Sequence, residues 1–446
     1  MGSSIVIRNG TIVDGTGRAG YAGTLVIEAN RIARVAEGDA PVALPPGARE
    51  VDARGQTVMP GLIDAHCHLA FDDAASNAEI FHQRRNALSA LVASYNARKL
   101  LRAGVTGFLD PDSVFENMID LRDAVEAGVV PGPRMSCGAY ALITGVGGTA
   151  GRLINDHGST GYYMAVNSRD ELVAEIRRQI KIGTDWIKVH VTGVVPRKAH
   201  LGELCAWNLD ELRLICDTAH ALHTPVMGHC RGAEATRLAA EAGFDFILHA
   251  TGMDERALEA IIERRIPIAP TLTFQANLID YGHRIGTDSS LVDLFAREIA
   301  DSAPTLKAVH DAGVPLLCGS EAGFSMVPYG EWHYREMEVF VRDLGMTPLE
   351  AISCATRNGA FALRLEGEVG TLEPGKLADV ICVHGRVDED VCVLAAPDAV
   401  RTVIKDGVVQ DLSDLPERRP IPGWRLATMG EHLSRSVAFG AGAARP

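Results

Sequence analysis

Residues 59–68 of the chain read MPGLIDAHCH, and the pattern of the sequence changes at this stretch. In a β-strand, successive side chains point to opposite faces, so His66 and His68 lie on one face and Cys67 on the other. Two imidazoles that converge from one strand suit a divalent cation such as zinc, which prefers nitrogen and sulfur ligands. The stretch therefore predicts a metal site at a strand end. The alternative is an ordinary strand that carries two histidines.

The chain has different patterns on the two sides of this stretch. Residues 4–59 read as short β-strands, with turns at Asn9-Gly10 and at residues 15–17. From residue 61 onward, apolar strands alternate with amphipathic helices for about 300 residues, which predicts a parallel sheet with crossover helices and, at this length, a closed (β/α)₈ barrel. A doubly wound open sheet is the alternative, although no GxGxxG loop follows an early strand.

The strands at the two ends of the chain are predicted to pair with each other. Roughly fifty residues of small N-terminal strands bury little core alone, and a second β stretch follows residue 365. We therefore predict an α/β protein with a TIM-like barrel over 60–364 and a small β-sandwich domain built from 1–59 and 365–412. Residues 413–446 are proline-containing and are predicted to form an arm that packs on a neighbouring subunit of a homo-oligomer.

Composition excludes several classes of partner. The chain has 446 residues with a formal net charge of −14, and it lacks a lysine- or arginine-rich block, so we expect no nucleic-acid surface. No apolar stretch approaches ~20 residues, so no membrane span is expected. The nine cysteines form no CxxC pair and the N-terminus has no secretory signal pattern, which favours a reducing cytoplasm. The expected partner is a small-molecule substrate.

Four further strand ends carry residues able to bind a metal. They are Lys188 in DWIKVH, His229 in PVMGHC, His249 in FDFILHA and Glu321 in CGSEAG. Each has an ordinary alternative, such as a hydrogen-bonded core histidine, but active sites of barrels lie at the C-terminal ends of the strands. A buried lysine has a depressed pKa, and its neutral amine can capture CO₂ to give a carbamate that bridges two cations.

These motifs resemble those of the amidohydrolase superfamily. HCH after PGLIDA, the strand lysine, the single strand-end histidines, the final acid and the closing GTLEPGKLADV are all present. The resemblance covers about residues 4–412 and is strongest to the imidazolonepropionase-like and prolidase-like branch. The context GSEAGF is also similar to that of the bacterial hydrolases of phenylurea herbicides and of the thiocarbamate molinate.

The resemblance implies a role for each residue. His66 and His68 would bind the more buried metal, and N-carboxylated Lys188 would bridge it to a second ion held by His229 and His249. The expected cofactor is Zn²⁺, one or two ions per chain. With Lys188 and Glu321, His249 is also expected to be catalytic.

Three departures from the family pattern affect the predicted substrate. Glu321, expected to bind the first metal and carry the proton, replaces the usual aspartate, and its extra methylene moves the carboxylate by roughly an ångström where about 0.5 Å matters. His190 stands where many peptidase relatives have tyrosine. Arg231 lies in a Cys-Arg-Gly triplet that replaces the more usual Ala-His-Gly.

The predicted function is a metal-dependent amidohydrolase that cleaves a C–N bond of a small amide, urea or carbamate, with an N-aryl urea as the favoured substrate. The alternatives are a prolidase-like dipeptidase or N-acyl amino acid hydrolase, a cyclic amidine deaminase, and an inactive scaffold. The aromatic residues of 329–334, YGEWHY, either wall an aryl pocket or pack in the core. The predicted substrate-binding residues are Tyr140, His190, His200, Arg231, Phe274 and His333.

Overall fold

The computed structural model describes residues 4–38, 42, 45–76, 79–80, 85–149, 163–194, 203–419 and 430–440. Within these ranges, the strands form one eight-stranded mixed sheet and two parallel sheets of six and three strands. Eleven α-helices accompany them in the same ranges. The protein is therefore of the α/β class, as the alternating pattern predicted.

The mixed sheet combines strands from both ends of the chain, in the order β17-β16-β15-β5-β1-β2-β3, with β4 paired to β1. The antiparallel pairing of β5 with β15 joins the two ends, which supplies the partner that the N-terminal strands needed. The strands of this sheet are β1 (Ser4–Ile12), β2 (Tyr21–Glu28), β3 (Arg31–Glu37), β4 (Arg49–Asp52), β5 (Gln56–Pro60), β15 (Val380–His384), β16 (Val400–Lys405) and β17 (Val408–Val409).

The prediction of a turn at Asn9-Gly10 is wrong. β1 runs through this dipeptide and pairs with β2 on both sides of it, with a register shift between Ile7 and Gly10. Between these two pairs β1 has one residue more than β2, which is a β-bulge, and Asn9 in it adopts a left-handed φ of 64°. The dipeptide therefore bends one strand, because β2 offers hydrogen-bond partners before and after it.

The parallel strands carry the predicted metal ligands at or just after their ends. They are β6 (Leu62–Asp64), β7 (Val105–Asp110) and β8 (Arg134–Cys137) in one sheet, and β9 (Ala141–Ile143), β10 (Tyr163–Ala165), β11 (Ile187–His190), β12 (Val226–Arg231), β13 (Phe246–Thr251) and β14 (Ile268–Ala269) in the other. Backbone hydrogen bonds also join the sheets. Asp185 N donates to Cys137 O at 2.9 Å beyond β8, and Ala65 N donates to Cys318 O at 2.8 Å beyond β6.

The helices follow the predicted alternation with the strands. They are α1 (Asn86–Arg102), α2 (Asn117–Glu126), α3 (Arg169–Lys181), α4 (Leu209–His220), α5 (Ala233–Ala242), α6 (Glu255–Arg264), α7 (Thr273–Tyr281), α8 (Ser289–Asp311), α9 (Arg335–Leu344), α10 (Pro348–Ala355) and α11 (Arg435–Phe439). The α8 helix begins at an N-cap, Asp288, whose side chain accepts from Ser290 N. Its first half is largely exposed, so it lacks the continuous apolar stripe from which a buried helix is predicted.

The described part of the C-terminal arm contacts α1 and the segment before α9 of its own chain. Tyr95 Oη donates to Pro416 O at 2.9 Å, and Trp332 Nε1 donates to Leu433 O at 2.7 Å. The packing of this arm on a neighbouring subunit stays a prediction, and Pro420 and Pro422 lie outside the described residues. Among the described helices, none has the length and apolar content to cross a membrane.

Candidate metal centre

The site begins where the segment after β6 meets the segment after residue 318. His68 N donates to Ala322 O at 2.8 Å, and Glu321 N donates to His66 O at 2.7 Å. These two bonds alternate along the paired segments, so they fix the register between them. The His-x-His motif and Glu321 are therefore held side by side, although about 250 residues separate them in sequence.

The hydrogen bonds of the two motif histidines fix their tautomers. Thr271 Oγ1 donates to Ala269 O, so it accepts from His66 Nδ1 at 3.0 Å. His68 Nδ1 lies 3.0 Å from the backbone oxygen of Asp112, which can only accept. Both Nε2 atoms therefore carry lone pairs, and they face each other at 3.0 Å. Two lone pairs at this distance repel unless a cation is shared between them.

His229 and His249 complete the group of imidazoles from two neighbouring strands. Their ring centroids lie 4.4 Å apart, and His249 lies 5.2 Å from the ring of His66. Both ring nitrogens of His249 and the Nε2 of His229 are buried without a hydrogen-bond partner in the described part of the chain. Ligand atoms of His66, His249 and Glu321 all lie within 4.8 Å of one another.

The electrostatics of the site keep these imidazoles neutral. Burial lowers the pKa of His68 and of His229 to about 4, and burial with neighbouring positive charges holds the pKa of His66 and His249 well below the ordinary value. Metal ligation requires neutral imidazole. Neutral rings with unused lone pairs, together with a carboxylate, make a donor set that fits a divalent metal ion.

Lys188 is held by a carboxylate that the sequence analysis did not single out. The lysine is 1% exposed, and its Nζ lies 3.2 Å from Asp112 Oδ1. The other oxygen of Asp112 accepts from His190 Nε2 at 3.0 Å. Burial favours the neutral acid, but the Lys188 charge and this hydrogen bond hold the pKa of Asp112 well below its ordinary value. Asp112 thus links Lys188, His190 and, through its backbone oxygen, His68.

Three residues of the site have a backbone conformation that side chains other than glycine rarely adopt. The φ angles are 59° at Thr271, 75° at His249 and 57° at Glu321. Such a residue costs about 1–3 kcal/mol, and it persists only where the surrounding structure imposes it. Burial also raises the pKa of Glu321 to about 7. Strained backbone therefore aims a metal donor, the orienting threonine and the acid into one space.

Arg231 is neutralised by two acids. Its guanidinium pairs with Glu298 of α8, and its Nε lies 3.4 Å from Glu203 Oε1. Glu203 Oε2 in turn lies 3.6 Å from His229 Nε2. All three charged side chains are about one-fifth exposed, at 20%, 17% and 21% for Arg231, Glu298 and Glu203. This cluster borders the imidazole group and carries one net negative charge.

Phe274 belongs to a row of aromatic rings that starts at His68, a predicted metal ligand. Phe71 stacks on His68 with a centroid distance of 4.3 Å and an interplanar angle of 6°. Phe324 lies 5.3 Å from Phe71 and 5.8 Å from Phe274, and Phe295 lies 6.2 Å from Phe274. Phe71 is buried, whereas the other three rings are partly exposed. We call Phe71, Phe324, Phe274 and Phe295 the phenylalanine row.

Two predicted substrate-binding residues lie away from this space, and a third is outside the described residues. Tyr140 lies under Arg178 of α3, with the guanidinium carbon 5.6 Å from the ring centroid. His333 is buried, and its Nδ1 lies 2.7 Å from Asp64 Oδ2, so it supports the strand that precedes the metal ligands. His200 lies outside the described residues.

The YGEWHY segment belongs to the core and does not form an aryl pocket. Trp332 is fully buried, lies 5.6 Å from the Tyr281 ring and lies 6.3 Å from the Tyr334 ring. Phe439 of α11 covers the same cluster at 5.7 Å from Trp332. The aromatic wall of the site is therefore the phenylalanine row. Three of its members could have been found in the sequence by their spacing from the site residues. Phe71, Phe274 and Phe324 each follow a site residue by three positions, namely His68, Thr271 and Glu321.

Comparison with known proteins agrees with this geometry. Residues 57–409 match the model of the amidohydrolase family. The chain is 27% identical over 429 residues to an ochratoxinase of Aspergillus niger, a match that covers 90% of this chain and 85% of that protein.

Solved structures show the same fold. The structure of a Xaa-Pro dipeptidase with methionine bound in its active site superposes with a TM-score of 0.78 at 28% identity, covering 92% of this chain and 100% of that one. Phenylurea hydrolase B superposes with a TM-score of 0.76 at 23% identity, covering 92% of this chain and 97% of that one. The predicted resemblance is confirmed: the protein belongs to the amidohydrolase family and is a hydrolase of carbon–nitrogen bonds.

Proposed function

We propose that the protein is a metal-dependent hydrolase that cleaves a non-peptide C–N bond of a small amide, urea or carbamate, with an N-aryl urea as the favoured substrate. One observation carries the proposal. The Nε2 lone pairs of His66 and His68 face each other at 3.0 Å, and the unpartnered nitrogens of His229 and His249 lie beside them. Without a cation, this arrangement leaves buried acceptors unsatisfied at considerable cost.

We infer that zinc is the resident metal, as one or two ions. His66, His68, His229, His249 and Glu321 would hold it, with Lys188 as an N-carboxylated bridge. A bound divalent cation lowers the pKa of water from about 15.7 to roughly 7 and polarises a carbonyl oxygen. As a carbamate, Lys188 would add an anion beside Asp112 and would release that carboxylate from its present ion pair.

The residues of the chain supply position and proton transfer. Glu321 takes the proton from the attacking water and delivers it to the departing amine, a general acid–base contribution of about 10²–10⁴. Thr271 and the Asp112 backbone oxygen hold the two motif histidines in the tautomers that expose Nε2. The buried setting excludes bulk water from these groups.

A second candidate is a prolidase-like dipeptidase or N-acyl amino acid hydrolase. The similarity to the Xaa-Pro dipeptidase structure, at 28% identity, supports it. The departures at His190 and Arg231 oppose it, because the guanidinium already pairs with two acids. A cyclic amidine deaminase typically uses one metal without a bridging lysine, so the buried Lys188 disfavours it. The full donor set disfavours an inactive scaffold.

We also infer the finer architecture that places the site. The hydrogen bonds that link the two parallel sheets at Asp185 and Ala65, with the parallel bridge between Ile268 and Leu316, support a closed (β/α)₈ barrel over 60–364. The mixed sheet supports a β-sandwich domain from 1–59 and 365–412. The scattered cysteines, which form no CxxC pair, support a reducing, cytoplasmic setting. The homo-oligomer remains a proposal without a structural argument.

The test combines metal analysis with one substitution. We expect at least one zinc ion per chain in the purified protein, and an added mass of one CO₂ on Lys188 in native mass spectrometry. Glu321→Gln should lower kcat for N-aryl ureas and amides by about 10²–10⁴, whereas the control Glu366→Gln, at an exposed glutamate, should not. A near wild-type rate for Glu321→Gln contradicts the proton-transfer role. Less than about one ion per chain contradicts the metal-dependent function.

A further inference from the structure

We propose that the site selects uncharged aryl substrates and rejects those that carry a carboxylate. The phenylalanine row receives the aryl group, and the acids around Arg231 repel an anion. This inference rests on the proposed hydrolase function and narrows it to a substrate class. It is argued from two independent features, the position of the aromatic rings and the charge of the cluster.

The phenylalanine row leads from the protein surface to the metal donors. Phe295 lies on the partly exposed first half of α8, and Phe274 is the second residue of α7, three positions after the Thr271 that orients His66. Phe324 follows Glu321 and lies 6.3 Å from the His68 ring. Neighbouring rings along the row meet at interplanar angles of 70–87°. Edge-to-face packing of this kind accepts a further ring.

The backbone keeps the inner part of this row in place. Phe324 forms a parallel bridge with Ala74, and Ser325 N donates to Ala74 O at 3.0 Å. The loop after His68 and the loop after Glu321 are thereby joined, each with a phenylalanine that faces the other at 5.3 Å. An aryl group bound here meets a rigid surface, which reduces the entropy lost on binding.

The cluster at the same entrance has the wrong charge for a carboxylate. Arg231 is the last residue of β12 and follows the predicted metal ligand His229 by two positions. Glu298 binds its Nη2 with both carboxylate oxygens, and Glu203 lies 3.4 Å from its Nε. A substrate carboxylate would have to displace an acid that is more than four-fifths buried, in a cluster already net negative.

The two features share one helix, which ties the shape of the site to its charge. Phe295 and Glu298 lie three residues apart on α8, so they occupy the same helix face. One therefore faces Phe274 while the other reaches Arg231. We therefore expect a neutral aryl group to bind beside Phe295, whereas a ligand that carries a carboxylate would meet Glu298.

The predicted rejection of a carboxylate is tested by ligand binding, so the test does not depend on turnover. The probes are N-phenyl-N′,N′-dimethylurea, which is neutral, and N-benzoylglycine, which carries a carboxylate. Calorimetry on the metal-loaded full chain should give a Kd for the urea at least about tenfold lower than for the acid. Glu298→Gln should reduce this ratio about tenfold, whereas Asp293→Asn, at an exposed acid on the same helix, should leave it unchanged.

The predicted binding of the aryl group by the phenylalanine row is tested with a matched pair of substitutions. Phe324→Leu should raise the Kd of the phenylurea about two- to tenfold, with a smaller effect on N-butyl-N′,N′-dimethylurea. Phe361→Leu removes a ring from a cluster with Trp186 and Phe246 and should change neither Kd. Phe274→Leu is the second variant if Phe324→Leu does not fold.

The outcomes separate this inference from the proposed function. Equal or tighter binding of N-benzoylglycine, an unchanged ratio in Glu298→Gln, or binding of neither probe overturns the inference. A chain that hydrolyses amides but prefers the acid contradicts the inference alone. A chain that binds the neutral aryl probe with the expected selectivity but hydrolyses no C–N bond contradicts the proposed function alone.

Discussion

Both ends of the parallel strands carry aromatic side chains. They differ in whether the buried polar atoms there have hydrogen-bond partners. Near the N-terminal end, the rings of Trp186, Phe246 and Phe361 lie 5.6–5.8 Å apart. Trp186 Nε1 donates to Ser136 Oγ at 3.1 Å and to Ala362 O at 3.2 Å. At the C-terminal end, the phenylalanine row reaches His68, and nitrogens of His229 and His249 are buried without hydrogen-bond partners among the described residues.

The backbone differs between the two ends in where its left-handed φ angles lie. At the C-terminal end they occur within the site, at Thr271, His249 and Glu321, whereas at the N-terminal end they occur at the exposed residues His223, Arg265 and Arg364. Strain and unsatisfied polar atoms inside the protein lower stability, so their presence within the site indicates a purpose other than stability. The N-terminal end stabilises the fold, and the C-terminal end is organised for a ligand.

The largest expected effect comes from removing a donor at the C-terminal end. His249→Ala should lose metal and reduce kcat by about 10³-fold or more, because a bound cation supplies several kcal/mol of transition-state stabilisation. The free energy of unfolding of the metal-free protein should fall by less than about 2 kcal/mol, since the lost imidazole has no hydrogen bonds there. Metal analysis, kinetics and urea denaturation with a chelator measure these three quantities. A large loss of metal-free stability would remove the contrast between the two ends.

A substitution at the N-terminal end should have the opposite profile. Trp186→Ala should lower the free energy of unfolding by about 3–5 kcal/mol, because it leaves a cavity and frees the Ser136 hydroxyl. Metal content per folded chain should stay at the wild-type value. Urea denaturation of the metal-loaded protein, with Trp186→Phe as the milder control, tests this. Selective loss of metal from folded Trp186→Ala would show that the ends are coupled.

The smallest of these effects concerns a residue that orients a donor. Thr271→Val keeps the shape of the side chain but removes the acceptor for His66 Nδ1. The affinity for zinc should fall by about 10–100-fold, as measured by competition with a chelator of known affinity. Thr271→Ser retains the hydroxyl and should bind zinc as the wild type does. Equal affinities in all three proteins would mean that the tautomer of His66 is set elsewhere.

Local patterns predicted much of the fold. From the strand–helix alternation, local patterns predicted the α/β class. They failed where tertiary contacts overrode local signals. β1 passes through Asn9-Gly10 because β2 pairs with both sides of it, and the first half of α8 is largely exposed, with Phe295 against Phe274 and Glu298 paired with Arg231.

The candidate site shows the same division. His66, His68, Lys188, His229 and Glu321 were identified because each stands at or just after a strand end. The acids around them were not, since nothing in the local sequence distinguishes Asp112, Glu203 and Glu298 from acids at the surface. Burial and the geometry of the fold alone place Asp112 3.2 Å from Lys188 Nζ.

By itself, the sequence determined which side chains carry metal-binding chemistry and that they stand at strand ends, because the alternation of side chains along a strand depends only on neighbouring residues. The tertiary structure decided which of them meet, which tautomers the histidines adopt, that Arg231 is already neutralised, and that Phe71, Phe274, Phe295 and Phe324 form one surface. These properties depend on contacts between segments far apart in the chain, and packing of the complete fold sets their distances.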